Sequence, residues 1–115
     1  MPLPQEFVQA WYSWRHASTP SISDKEKGNP IIGRIVYDLE HMASYLYSFG
    51  TQVIAQQNVD YTQLAPELSD LESIGSKVED CQMLEEKKEE FRHYIKVLRH
   101  LLEEMAKLDA PEHRG

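Results

Sequence analysis

Apolar residues recur at steps of three and four along most of this chain, the spacing of one face of a helix. Residues 5–16, QEFVQAWYSWRH, place Phe7, Val8, Trp11 and Trp14 in such a pattern, with Pro4 suited to a first helical turn. Residues 17–29 are rich in Ser, Pro, Gly and charge and read as a tether. Asn29-Pro30 then supplies a helix start, Asn as the cap and Pro as the first helical residue. From Ile32 through Ile35, Val36, Leu39, Met42, Ala43, Leu46 and Phe49 to Val53 and Ile54 the period predicts a long helix over about 30–57. Gly50 within it is either a kink or a small residue at a close helix crossing.

Residues 58–66 read as a turn, with Pro66 able to open the next helix. A second long stripe follows: Leu68, Leu71, Ile74, Val78, Cys81, Leu84, Phe91, Ile95, Leu98, Leu102 and Met105, reaching Leu108. It predicts a helix over about 66–109, ended by Ala110-Pro111. The stripe falters between Val78 and Leu84, and Gly75 precedes a Ser76-Lys-Val-Glu79 capping pattern. The reading is one bent helix, with two helices broken near Gly75 as the alternative. No segment alternates as a strand would. The expectation is therefore all-α: one domain over 1–115, a helical bundle built on an antiparallel pair of long helices, with the short aromatic-rich N-terminal helix packed across it.

The two long helices are unequal, about 42 Å and 66 Å at 1.5 Å per residue. That leaves apolar stripe uncovered and predicts a homodimer. Composition adds constraints. A single cysteine, Cys81, allows no internal disulfide and suits a reducing compartment. No apolar run reaches the ~20 residues needed to span a bilayer, and residues 1–6 lack the features of a secretory signal. A cytoplasmic protein with no membrane partner is expected. The formal net charge of −7 argues against nucleic acid as a partner. The acid is concentrated in residues 60–80, while 85–107 carry balanced charges along a helix surface.

Candidate chemistry is sparse. His93 and His100 are two helical turns apart, about 10.5 Å in rise, too far to share one metal, and both point away from the apolar stripe. Neighbouring Glu89, Glu90, Glu103 and Glu104 read as their surface ion-pair partners. Glu90-x-x-His93 and Asp38-x-x-His41 have the spacing of carboxylate-bridged di-iron helices, but these residues too fall off the apolar faces. Cys81 sits on the stripe between acids and reads as a small buried hydrophobe. No phosphate loop, His-Glu-x-x-His motif or nucleophile elbow occurs, so no catalytic residue, metal or cofactor is assigned. Lys88, Arg92, Lys96 and Arg99, threaded with glutamates, read as a solvated face.

Two surfaces remain. Tyr37, His41 and Tyr45, with Ser44 and Ser48, form a polar-aromatic edge that could line a ligand groove. Phe7, Trp11 and Trp14 have the i, i+4, i+7 anchor spacing of helix-in-groove recognition; the favoured reading is that they dock this helix on its own bundle, with capture of a partner as the alternative. The function expected is non-catalytic: an adaptor-like or regulatory interaction protein. The alternatives are an immunity- or antitoxin-type binder, and a small-molecule- or metal-binding helical enzyme using the Tyr37/His41/Tyr45 edge.

Overall fold

The computed structural model describes residues 3–109. Among them are five α-helices and no strand: α1 (Gln5–His16), α2 (Asp24–Lys27), α3 (Pro30–Ile54), α4 (Leu64–Asp80) and α5 (Glu85–Lys107), with a single 3-10 turn at Tyr61–Gln63. This is the all-α bundle that the periodicity predicts.

The principal difference lies in the last stripe. It is neither one bent helix nor two helices parted at Gly75. Gly75 sits inside α4, and the chain reverses at residues 81–84. Leu84, counted on the apolar stripe, is 75 % exposed and caps α5 from outside. Cys81, next to it, is buried as expected. The reversal folds α4 back along α5, Arg92 reaching Glu79 and Arg99 reaching Glu72. The two halves of the stripe therefore cover each other within one chain.

Helix directions follow from such pairs. Lys77 meets Asp38, and the Tyr45 hydroxyl meets Gln63, so α4 runs antiparallel to α3. Trp14 bonds Tyr94 while Glu6 lies toward Lys107, so α1 runs antiparallel to α5. The long helices α1, α3, α4 and α5 thus alternate in direction, the arrangement of an up-down four-helix bundle. Phe7, Ile35, Leu46, Leu71, Phe91 and Leu98 are among the core side chains at or near zero exposure. The body is elongated, 50 × 24 × 18 Å.

The ends of α3 show how local chemistry sets its length. The Asn29 carboxamide oxygen accepts from Ile31 N at 2.9 Å, which is the predicted cap. The far end stops at Ile54, short of the expected 57. Gln56 takes a left-handed φ of 59°, Gln56 N bonds Val53 O, and Gln57 N bonds Gln52 O. These two bonds are a Schellman stop with glutamine where glycine usually stands. The tether also holds more order than expected. Ser23 and Glu26 form a reciprocal capping box that starts α2. The expected stop at Ala110-Pro111 lies outside the described residues.

Candidate functional site

The three N-terminal anchors separate in the fold. Phe7 is 1 % and Trp14 5 % exposed, both inside the chain's own core. Trp14 Nε1 donates to the buried Tyr94 hydroxyl at 3.2 Å. Trp11 is only partly buried. Its ring lies over Gly50 of α3, where a Cβ would sit 1.9 Å from the ring. Of the two readings of Gly50, the close crossing is what the structure shows. Trp11 also stacks on Tyr47 at 6.1 Å and meets Trp14 edge-on at 5.3 Å. The Arg15 guanidinium stands 4.7 Å over Tyr47 and 5.3 Å from Trp14. The α1–α3 seam is thus an aromatic stack with one arginine at its margin, open on its outer side.

That seam continues along a surface the sequence reading passed over. Between Glu40 and Asp60 there is no Asp, Glu, Lys or Arg, in a chain where 27 % of residues are charged. The exposed residues of α3 in this stretch are His41, Ser44, Tyr47, Ser48, Thr51, Gln52 and Ile54. Thr51 Oγ1 donates to Ser48 O at 2.9 Å, so part of this polarity is already satisfied within the helix. Interfaces are depleted in charge and enriched in Tyr, Trp and Arg at their centres; this face shares the lack of charge, and Trp11 and Arg15 of α1 stand beside its Tyr47. The missing charges were a readable signal.

The Tyr37/His41/Tyr45 edge divides. Tyr37 and His41 stack nearly parallel, 6.2 Å apart with 8° between planes, and Tyr37 is 59 % exposed. Arg34 lies 5.6 Å from the Tyr37 ring. His41 lines a groove of about 260 Å3 between α3 and α4, with Arg34, Asp38, Glu67, Asp70 and Lys77. Tyr45 turns elsewhere, packing on Phe49 at 6.0 Å and reaching Gln63. The three side chains do not converge on one point.

Electrostatics in this region follow burial. The Glu67 carboxyl is pushed up by partial burial and by Asp70, with His41 opposing. The Tyr45 phenol is also raised, by burial first and then by Glu67 and Asp60. Asp60 is held down by hydrogen bonds from Thr62. A carboxyl whose pKa is higher in the folded chain stabilises the fold below its unfolded pKa, and that contribution is lost as pH rises through the folded value. Ionised Glu67 is therefore a liability at neutral pH. Glu67→Gln is expected to raise the melting temperature at pH 7, with the gain vanishing by about pH 3.5. An equal gain at both values would contradict the assignment.

The basic stripe of α5 is used internally. Arg92 binds Glu79 through two bonds of 2.5 and 2.8 Å, binds Glu85 at 2.6 Å, and also contacts Glu89. Those contacts raise the guanidinium and lower Glu79. Arg99 takes Glu72 at 2.7 Å, and Lys88 takes the Glu79 carbonyl at 2.8 Å. These residues staple α4 to α5. His93 and His100 are exposed, as their phase requires. The acids expected beside them have other partners: Glu89 with Arg92, Glu90 with Lys87, and Glu104 with Lys107. Glu104 is in fact buried, at 7 % exposure. Among the described residues no group of three or more His, Cys, Asp or Glu is placed to hold a metal ion, and no helix is long and apolar enough to cross a membrane.

No protein-family model matches the chain, and neither a curated protein nor a solved structure matches it.

Proposed function

We propose that this chain is a non-catalytic interaction protein, adaptor-like or regulatory, that docks through the α1–α3 seam. One observation carries the reading: the outer face of α3 beyond Glu40 is charge-free and tyrosine-bearing, and it adjoins the Trp11–Tyr47–Arg15 stack. Large aromatics with an arginine at the margin are the usual anchors of protein interfaces. An immunity- or antitoxin-type binder is a special case of this reading. The enzyme alternative is less favoured, because Tyr45 packs on Phe49 while Tyr37 and His41 stack on each other.

The occupant we favour is a second copy. With α4 and α5 covering each other, no long apolar stripe is left for a second copy to bury, and charge favours this face for the pairing instead. Two chains of net charge −7 repel one another, and they meet with least like-charge opposition across the face that carries no charge. Light scattering at micromolar concentration is expected to give twice the chain mass of 13.4 kDa. Ser48→Glu, which puts a carboxylate on that face in both copies, is expected to return the monomer with little change in melting temperature. A wild-type monomer would remove self-association and leave the seam to a different protein.

A further inference from the structure

Tyr94 of α5 is 3 % exposed, and its hydroxyl oxygen accepts the Trp14 indole N–H at 3.2 Å. The hydroxyl's own proton has no acceptor among the described residues. A buried phenol ordinarily both accepts and donates, and Tyr94 borders two cavities. One cavity of about 200 Å3 is walled by Val36, Leu39 and Ala43 of α3 and by Phe91 and Tyr94 of α5, beneath the tether at Pro20. A second, of about 340 Å3, lies toward Trp14 and Tyr47 and shares Ala43 and Tyr94 with the first.

We propose that the 200 Å3 cavity is a binding site for a small uncharged ring compound bearing one oxygen acceptor, of the cyclic-ketone class. The oxygen would take the Tyr94 proton, and the ring would lie against Phe91 and the aliphatic wall of α3. Size fits the class, since an apolar cavity of about 150 Å3 accepts benzene. Charge selects it. Glu40 is the single charged residue on the walls, exposed at the rim, and it opposes a carboxylate. An ammonium group would lose its hydration among Val36, Leu39 and Phe91. The tether forms the outer wall. It is held by Ile22 packing on the core and by a Lys87 ammonium contact to the Ser21 carbonyl. The walls of this cavity include none of the exposed docking-face residues Ser44, Tyr47, Ser48 and Thr51, so either assignment can fail without the other.

The test uses three probes of one ring size on the full chain: 1-indanone, indane and indane-1-carboxylate, each titrated by calorimetry and followed by protein NMR. Saturable sub-millimolar binding of 1-indanone is expected, with indane about tenfold weaker for lack of one hydrogen bond and the carboxylate weaker still. Tyr94→Phe is expected to remove the tenfold advantage of the ketone while leaving indane unchanged. Ala43→Leu, which fills the cavity from the α3 side and keeps the Tyr94 hydroxyl, is expected to abolish binding of both. Melting temperature and tryptophan emission confirm that each variant is folded. No saturable binding by the wild-type chain, an advantage that survives Tyr94→Phe, or binding that survives Ala43→Leu would each overturn the proposal.

Discussion

Trp14→Ala is expected to destabilise the protein by about 3–5 kcal/mol, the range for deleting a buried aromatic side chain. Three effects act together. The indole is 5 % exposed, so its removal leaves a void between α1 and α5 that the rigid bundle cannot collapse. The Tyr94 oxygen loses the N–H that satisfies it, at 3 % exposure where water does not readily replace it. Trp11 loses its edge contact at 5.3 Å. For a domain of this size the fall in melting temperature should be roughly 12–20 °C. Trp14→Phe keeps most of the volume and removes the bond, and should cost about 1–2 kcal/mol. Tyr12→Ala, on the same helix but 60 % exposed, is the control and should stay within about 0.5 kcal/mol. A Trp14→Ala loss no greater than the Tyr12 control would mean that α1 is not docked on its own bundle.

Gly50→Ala is the second large effect, and its sign is the informative part. Alanine in place of glycine within a helix normally stabilises by up to about 1 kcal/mol. Here the added methyl would meet the Trp11 ring at 1.9 Å. Moving the ring off the methyl would disturb its contacts with both Tyr47 and Trp14. Overpacking of this kind costs typically about 1–3 kcal/mol, so the net change should be destabilising. Gly75→Ala in α4 is the internal comparison. Nothing lies within 4 Å of its added methyl, and it should show the ordinary helix gain. The decisive form is a double-mutant cycle. With Trp11→Ala already present, Gly50→Ala should turn from destabilising to neutral or stabilising. If it stays destabilising without the ring, the crossing is not where the structure puts it.

These outcomes bear on how far the sequence could be read. The α1 boundaries follow the apolar period behind Pro4, and the Asn29-Pro30 start of α3 follows its cap; the structure has both where the residues place them. The reversal between α4 and α5 was hidden for a physical reason. Both helices turn their apolar faces to one core, so a three-four rhythm passes through the break almost undisturbed. Leu84 caps α5 with no side-chain bond, and no Gly or Pro marks residues 81–84. Only the faltering step after Val78 pointed there. The end of α3 was hidden in a similar way, because Gln56 occupies the left-handed position that glycine would have announced.

The site was legible in part. Phe7, Trp11 and Trp14 identify a helix that must bury aromatics, but the pattern does not say against what. Burial in the fold gives Phe7 and Trp14 to the core and leaves Trp11 at the surface. Tyr37 and His41, one turn apart, do stack as their spacing allows. Tyr45 departs because Phe49 and Tyr61 make an aromatic contact near the loop, with Tyr45 packed against Phe49. The charge-free stretch between Glu40 and Asp60 could be seen in the sequence alone. Helix phase places Ser48 and Thr51 of this stretch on the outside, beside Tyr47.

The central claim is that this outer face of α3 is where the protein meets another chain. Site-specific photo-crosslinking in native extract tests it most directly, with a benzophenone side chain at Thr51 on the face and, separately, at exposed Lys96 on α5. The account predicts a discrete crosslinked species from position 51, containing a second copy of this chain, and none from position 96. Equal crosslinking from both positions, or none from position 51, would contradict it.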